Sequence, residues 1–211
     1  PNDGDPDFPC HPVPGTLAPV PWLGPQQAQV LMIMSDDKGH PWWLDPRHIV
    51  RGMADKIEQL GYRATVAIEL ELYLLEQEPG ADGRPRPARS PVTGKMPSDT
   101  QVYLMDELDA YAPLLNDMVA VCREQSIPTD VATIEYAPGQ FEINLHHTDD
   151  PVAACDHAML QKRAIKGVAA KHGLAATFMA RPFREYSTSG THIHLSLVDD
   201  QGRNVFDDGS A

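Results

Sequence analysis

The stretch Ala64-Thr65-Val66-Ala67-Ile68-Glu69-Leu70-Glu71-Leu72-Tyr73-Leu74-Leu75-Glu76 alternates residue by residue. Successive side chains of a strand point to opposite faces. Val66, Ile68, Leu70, Leu72 and Leu74 therefore share one face, and Ala67, Glu69, Glu71, Tyr73 and Leu75 share the other. The first face is core. The second sets two glutamates side by side.

The same grammar recurs downstream. Thr129–Glu135 reads as a strand, Ala137-Pro138-Gly139 as a turn, and Gln140–His146 as the returning strand. On that return Gln140, Glu142, Asn144 and His146 face one way, and Phe141, Ile143 and Leu145 the other. Gly190–Val198 repeats the pattern, with His192, His194 and Ser196 opposite Ile193, Leu195 and Leu197. Asp199-Asp200-Gln201-Gly202 follows as a hairpin-type turn.

Helices are marked by their ends. Asp45 caps a first helix, Pro46 suits its first turn and Gly61 its exit. Ile49, Val50, Met53, Ile57 and Leu60 are its expected buried stripe. A second helix runs from about Asp106 to Gln125, with Leu115, Met118, Val119 and Cys122 as its stripe and Pro113 at a start or kink. A third opens at Asp150-Pro151 and closes at Gly173. Gln29–Met34 is expected to be a buried strand and Leu174–Met179 another. Strands and helices are interspersed without strict βαβ alternation, which predicts an α+β fold: a largely antiparallel sheet with flanking helices.

Composition narrows the function. Of 211 residues, 17 are Lys or Arg and 30 are Asp or Glu, a net charge of −13. That excess argues against nucleic acid and anionic membrane, whose binding needs clustered cations. No apolar run reaches the roughly 18–20 residues of a membrane span. The three cysteines, Cys10, Cys122 and Cys155, are scattered, which disfavours a zinc ribbon or disulfide scaffold and points to a reducing, cytoplasmic setting. Proline crowds the first 25 residues and the stretch from Pro79 to Pro97, predicting an extended arm and a loop. The chain starts at Pro1 and stops at Ala211, just after a strand and a turn. Both ends read as cuts within a longer polypeptide.

The polar faces carry the chemistry. A solvent-facing sheet would mix Lys, Arg, Thr and Ser with its acids. Here three strand regions offer Glu69 and Glu71, Glu142 with Glu135 across the turn, and His192 with His194. Clustered carboxylates repel unless cations neutralise them. Oxygen donors with a minority of imidazole suit Mg²⁺ or Mn²⁺ rather than zinc, and the number of donors is enough for two ions. A cupin-type site would want a glutamate a few residues beyond His-x-His, where Leu197 and Val198 stand instead. There is no Walker A loop, no G-x-G-x-x-G fingerprint and no G-x-S-x-G elbow. Each pair taken alone is also compatible with an ordinary solvated face.

Three segments together resemble the glutamine synthetase family, and in its order: Ala67-Ile68-Glu69-Leu70-Glu71, Glu135-Tyr136-Ala137-Pro138-Gly139-Gln140-Phe141-Glu142, and Ser189-Gly190-Thr191-His192-Ile193-His194-Leu195-Ser196-Leu197. Val20-Pro21-Trp22 and Trp43-Leu44-Asp45-Pro46-Arg47 resemble that family's junction between its N-terminal β-grasp domain and its catalytic domain. The resemblance implies that residues 1–44 end the β-grasp domain and its junction, and that 45–211 form the first portion of the catalytic domain. The wording of residues 136–142 and Phe178-Met179-Ala180-Arg181-Pro182-Phe183 is closest to the γ-glutamylpolyamine (glutamate–putrescine) ligase branch.

The resemblance also implies roles. Glu71, Glu135 and Glu142 match ligands of the metal near glutamate, while Glu69 and His192 match ligands of the metal near the ATP phosphates. Glu135, Glu142 and His192 are the implied catalytic centre. His194 and Ser196 fall on the nucleotide side, and Gly190 with Glu71 near bound glutamate. The implied reaction is ATP-dependent joining of glutamate to an amine through γ-glutamyl phosphate, with two divalent ions, Mg²⁺ or Mn²⁺, in a ring-type homo-oligomer (a dodecamer). An ammonia-using glutamine synthetase and a non-catalytic relative kept for assembly are the rival readings. Two departures stand out: Thr188-Ser189-Gly190-Thr191 where the family has Gly-Ser-Gly-Met, and Arg181 where Lys is common. The family's later arginines and last metal-binding glutamate have no counterpart before Ala211, so these 211 residues alone are expected to show little or no catalysis.

Overall fold

The computed structural model of the protein describes residues 7–97, 100 and 102–209. The elements run in the order β1 (Cys10–Pro12), β2 (Ala18–Pro19), β3 (Ala28–Gln29), β4 (Met32–Met34), α1 (Pro46–Gln59), β5 (Arg63–Glu76), α2 (Met105–Glu124), β6 (Thr129–Ile134), β7 (Gln140–Leu145), α3 (Pro151–Lys171), β8 (Leu174–Thr177) and β9 (Thr191–Val198). The α+β expectation holds: the main sheet is antiparallel throughout, in the order β6-β7-β5-β8.

β5 is the spine. Residues Glu69–Tyr73 pair with β7 on one edge. On the other edge Arg63–Leu70 pair with β9 and Tyr73–Glu76 with β8. Between those two ladders the Glu71 amide donates to Gly190 O at 3.2 Å. Even-numbered residues from Ala64 to Leu74 are all buried, as the alternation predicts. Leu72 and Leu74 pack with Phe141, Ile143, Tyr111, Leu114, Met118 and Ile165. Val66, Ile68 and Leu70 pack with Leu145, Cys122, Ile127 and Ala164. α2 and α3 thus cover one face of the sheet and, among the described residues, leave the Glu69–Glu71 face free of helices.

Local signals hold at most ends. Asp45 caps α1 by accepting from the Arg47 amide at 2.9 Å, and its second oxygen accepts from Met34 N at 2.8 Å, tying the helix start to β4. Asp150 caps α3 through the Val152 and Ala153 amides. Pro113 sits inside α2 on an exposed position. The middle of the Pro79–Pro97 segment is pinned: Ala88 is fully buried, its amide donates to Leu74 O at 2.8 Å, and the Tyr111 hydroxyl donates to Ala88 O at 2.7 Å. The first six residues of the N-terminal arm, and Ser98, Asp99, Gln101, Ser210 and Ala211, lie outside the described residues.

Three expectations need correction. Gln29–Met34 is not one buried strand but touches two short, half-exposed fragments, each paired with a proline-bearing partner. Proline donates nothing to a ladder, so neither ribbon extends. In α1 only Ala54 is buried; Val50 and Ile57 are half-buried, while Ile49, Met53 and Leu60 are exposed. The helix turns a narrow line at Val50, Ala54 and Ile57 inward, the small Ala54 at its centre. The apolar face of β9 is open as well, with Ile193 66% and Leu195 50% exposed. α3 lies against β5 and β8, and the helix layer stops short of this outer strand.

Candidate metal centre

The register of β5 with its two neighbours builds the polar face row by row. Glu69 pairs with Asn144 on β7 and with His192 on β9. Glu71 pairs with Glu142, and its other neighbour is Gly190. Ala67 pairs with His194 and Thr65 with Ser196. Side chains opposite one another on one face lie within reach, and diagonal neighbours nearly so.

One ligand atom each from Glu69, Glu142 and His192 falls within 4.8 Å of the others. His192 Nδ1 stands 3.6 Å from Glu69 Oε2 and 4.0 Å from Glu71 Oε1. His194 Nε2 stands 3.1 Å from Glu69 Oε1. Glu135 follows the end of β6 and donates its amide to Gln140 O at 3.0 Å. Ser196 is two places further along β9 and outside the carboxylate group. The tightest trio therefore crosses the two ligand sets implied by the sequence resemblance, drawing Glu142 from one and Glu69 and His192 from the other.

The electrostatics are those of an uncompensated cluster. Partial burial pushes the Glu135 carboxyl above its ordinary range, and the charges of Glu71 and Glu142 push the same way. Partial burial likewise raises Glu142; Glu69 and Glu71 add to the rise, and a hydrogen bond from the Asn144 side chain and the nearby His192 oppose it. Among the described residues no lysine or arginine pairs with Glu69, Glu71, Glu135 or Glu142; the ion-pair partners of Glu69 and Glu71 are the two imidazoles. Carboxylate oxygens with one or two ring nitrogens fit a hard divalent cation. A Cβ placed on Gly190 would lie 2.7 Å from Glu71 Oε1 and 3.0 Å from the His192 ring, so only glycine leaves this space open.

Two groups on the polar face of β7 carry roles that the sequence alone did not assign. Gln140, 1% exposed, donates from Nε2 to Glu71 Oε2 at 2.7 Å. Asn144 supports Glu142. Both sit on the polar face of β7 by simple alternation, which was the available signal. Tyr73 closes one end of this face, with its hydroxyl donating to Ser187 O at 2.7 Å and its ring against Phe183.

The family description "Glutamine synthetase, catalytic domain" matches residues 43–211. The chain belongs to the glutamine synthetase family. It is 41% identical over 205 residues to the gamma-glutamylputrescine synthetase PuuA of Escherichia coli (strain K12), covering 97% of this chain and 43% of that protein. It is 35% identical over 206 residues to a glutamate–isopropylamine ligase of Pseudomonas sp., covering 97% and 44%. Identity to the glutamine synthetase of Mycobacterium tuberculosis (strain ATCC 25618 / H37Rv) is 30% over 198 residues. A solved structure titled "Apo GmaS without ligand" superposes with a TM-score of 0.80 at 27% identity, covering 96% of this chain and 45% of that one. The chain thus spans less than half the length of these glutamine synthetase relatives.

Proposed function

We propose that this chain carries the metal-holding core of a ligase that joins the γ-carboxylate of glutamate to an amine at the expense of ATP. The convergence of Glu69, Glu142 and His192 within 4.8 Å, uncompensated by basic side chains, supports this reading most directly. The higher identity to the two amine ligases than to the mycobacterial glutamine synthetase supports an amine larger than ammonia, of polyamine type. In the reaction the γ-carboxylate of glutamate takes the γ-phosphoryl group of ATP, giving γ-glutamyl phosphate and ADP. The amine nitrogen then attacks the acyl carbon, phosphate leaves, and the nitrogen loses a proton to give the amide.

The residues divide the work as follows. Glu71, Glu135 and Glu142 on one side, and Glu69 and His192 on the other, would hold two divalent ions, Mg²⁺ or Mn²⁺. Bound there, the ions would neutralise the oxygens of the transferring phosphoryl group. His194 and Ser196 lie along β9 toward the nucleotide side. Gly190 keeps the space beside Glu71 open for the glutamate substrate. Catalysis in this scheme is positioning and charge balance, with little covalent work for the protein.

Residues 45–211 form the first portion of the catalytic domain in this reading, and 1–44 the end of a β-grasp domain with its junction. The match that begins at residue 43 supports that division. The complete protein works in the cytoplasm as a ring-type homo-oligomer. The test is phosphate release by the complete reading frame with ATP, Mg²⁺, glutamate and a panel of amines. Amine-dependent turnover is expected. Its absence would overturn the proposal, and a strong preference for ammonia over diamines would move the chain to the glutamine-forming enzymes.

A further inference from the structure

Gln140 opens β7 and is 1% exposed. A buried primary amide has to find partners for both its ends. Its Nε2 donates to Glu71 Oε2 at 2.7 Å and to Thr188 O at 3.1 Å. Its Oε1 accepts from the Ala137 amide at 3.2 Å. One side chain thus ties together the middle of β5, the Ala137–Gly139 turn and the backbone approaching β9. Glu71 is held by one oxygen, and the other is turned toward His192 and the gap at Gly190.

We infer that Gln140 is a positioning residue: it fixes the orientation of the Glu71 carboxylate and the height of the Thr188–Gly190 backbone above it. This rests on the metal-centre reading proposed above. A residue that only closed the turn would need the Ala137 contact and nothing else. The two roles use different atoms of the amide, so substitution separates them. Gln140→Glu keeps the length and the acceptor for Ala137 but, ionised, has no hydrogen to give Glu71 or Thr188 and sets a second carboxylate against Glu71. Gln140→Met keeps the length and has neither.

The experiment is a Mn²⁺ titration of the full chain by electron paramagnetic resonance, with thermal melts and amide hydrogen exchange on the same samples. Wild type is expected to bind two ions. Gln140→Glu is expected to melt cooperatively, to lose roughly 10–100-fold in affinity for one ion, as loss of a supporting hydrogen bond commonly costs, and to keep the other. Exchange at residues 187–190 should accelerate in both variants. Two ions at wild-type affinity in a folded Gln140→Glu or Gln140→Met protein would overturn the inference while leaving the metal centre standing. Loss of cooperative melting in both variants would also overturn it, in favour of a purely structural role. A wild type that binds no Mn²⁺ would remove the metal centre and this inference together.

Discussion

Glu69 and His194 meet out of register. Glu69 pairs across the ladder with His192, and His194 with Ala67, yet His194 Nε2 stands 3.1 Å from Glu69 Oε1. The second oxygen of Glu69 faces His192 at 3.6 Å. One carboxylate therefore serves both imidazoles of β9.

Glu69→Gln keeps the shape and removes the charge. Divalent-ion affinity should fall by at least the roughly 10–100-fold that loss of a supporting group costs, read by Mn²⁺ titration. In wild type, Mn²⁺ at a hundred times its dissociation constant should stabilise the fold by about 2.7 kcal/mol per site. A melt unmoved by Mn²⁺ would count against the centre.

Gly190→Ala places a methyl group 2.7 Å from Glu71 Oε1. Either the carboxylate or the Gly190 backbone must move. A displacement on the order of 1 Å at such a site costs about a hundredfold in rate. The expected result is a folded protein with weakened ion binding at the Glu71 side and, in the ligase proposed above, a collapse of turnover.

Asp45 is 4% exposed. Burial opposes its ionisation, but amide donors from Met34, Arg47 and His48 outweigh that and hold its carboxyl below the ordinary range. A lowered folded value means the contribution to stability is complete above the unfolded value of 3.8 and is lost as pH falls through it and below. Asp45→Ala should cost about 1–2 kcal/mol at neutral pH from the lost cap. The gap between variant and wild type, followed by urea unfolding, should narrow as pH falls below 3.8 and protonation removes the same interaction.

Tyr111→Phe removes the hydroxyl that donates to Ala88 O and leaves that buried carbonyl short of a partner. The cost should be about 1–3 kcal/mol. Because Ala88 anchors the middle of the proline-rich loop, limited proteolysis should cut between residues 77 and 104 faster in the variant. Unchanged cutting would show that the remaining ties, from the Ala88 amide to Leu74 O, from Glu76 N to Arg86 O and from the Ser90 hydroxyl to Ala110 O, hold the loop without Tyr111.

Much of this was legible because strand alternation is a strict rule. Glu69, Glu71, Glu142, His192 and His194 could be assigned to one face from spacing alone, and they share it. What spacing could not supply was which row each occupies, because register is set between strands rather than within them. That is why Glu142 joins Glu69 and His192 in the tightest trio. Ile49, Met53, Ile193 and Leu195 were legible as apolar but not as exposed, since periodicity names a face without saying what covers it. Gln140 was hidden by its neutrality: only the burial of its amide shows that it must hold something.

β5 presents its two edges to three ladders and its two faces to two environments, so every position in it has a fixed duty. An insertion of one residue between Leu70 and Glu71 would swing Glu71 into the oily layer and put a leucine among the acids. Length variation among natural variants should therefore gather in the stretch after Glu76 and around the Asp199–Gly202 hairpin, and spare residues 63–76 and 140–145 altogether. The strand works as a ruler that cannot be redrawn by a single notch.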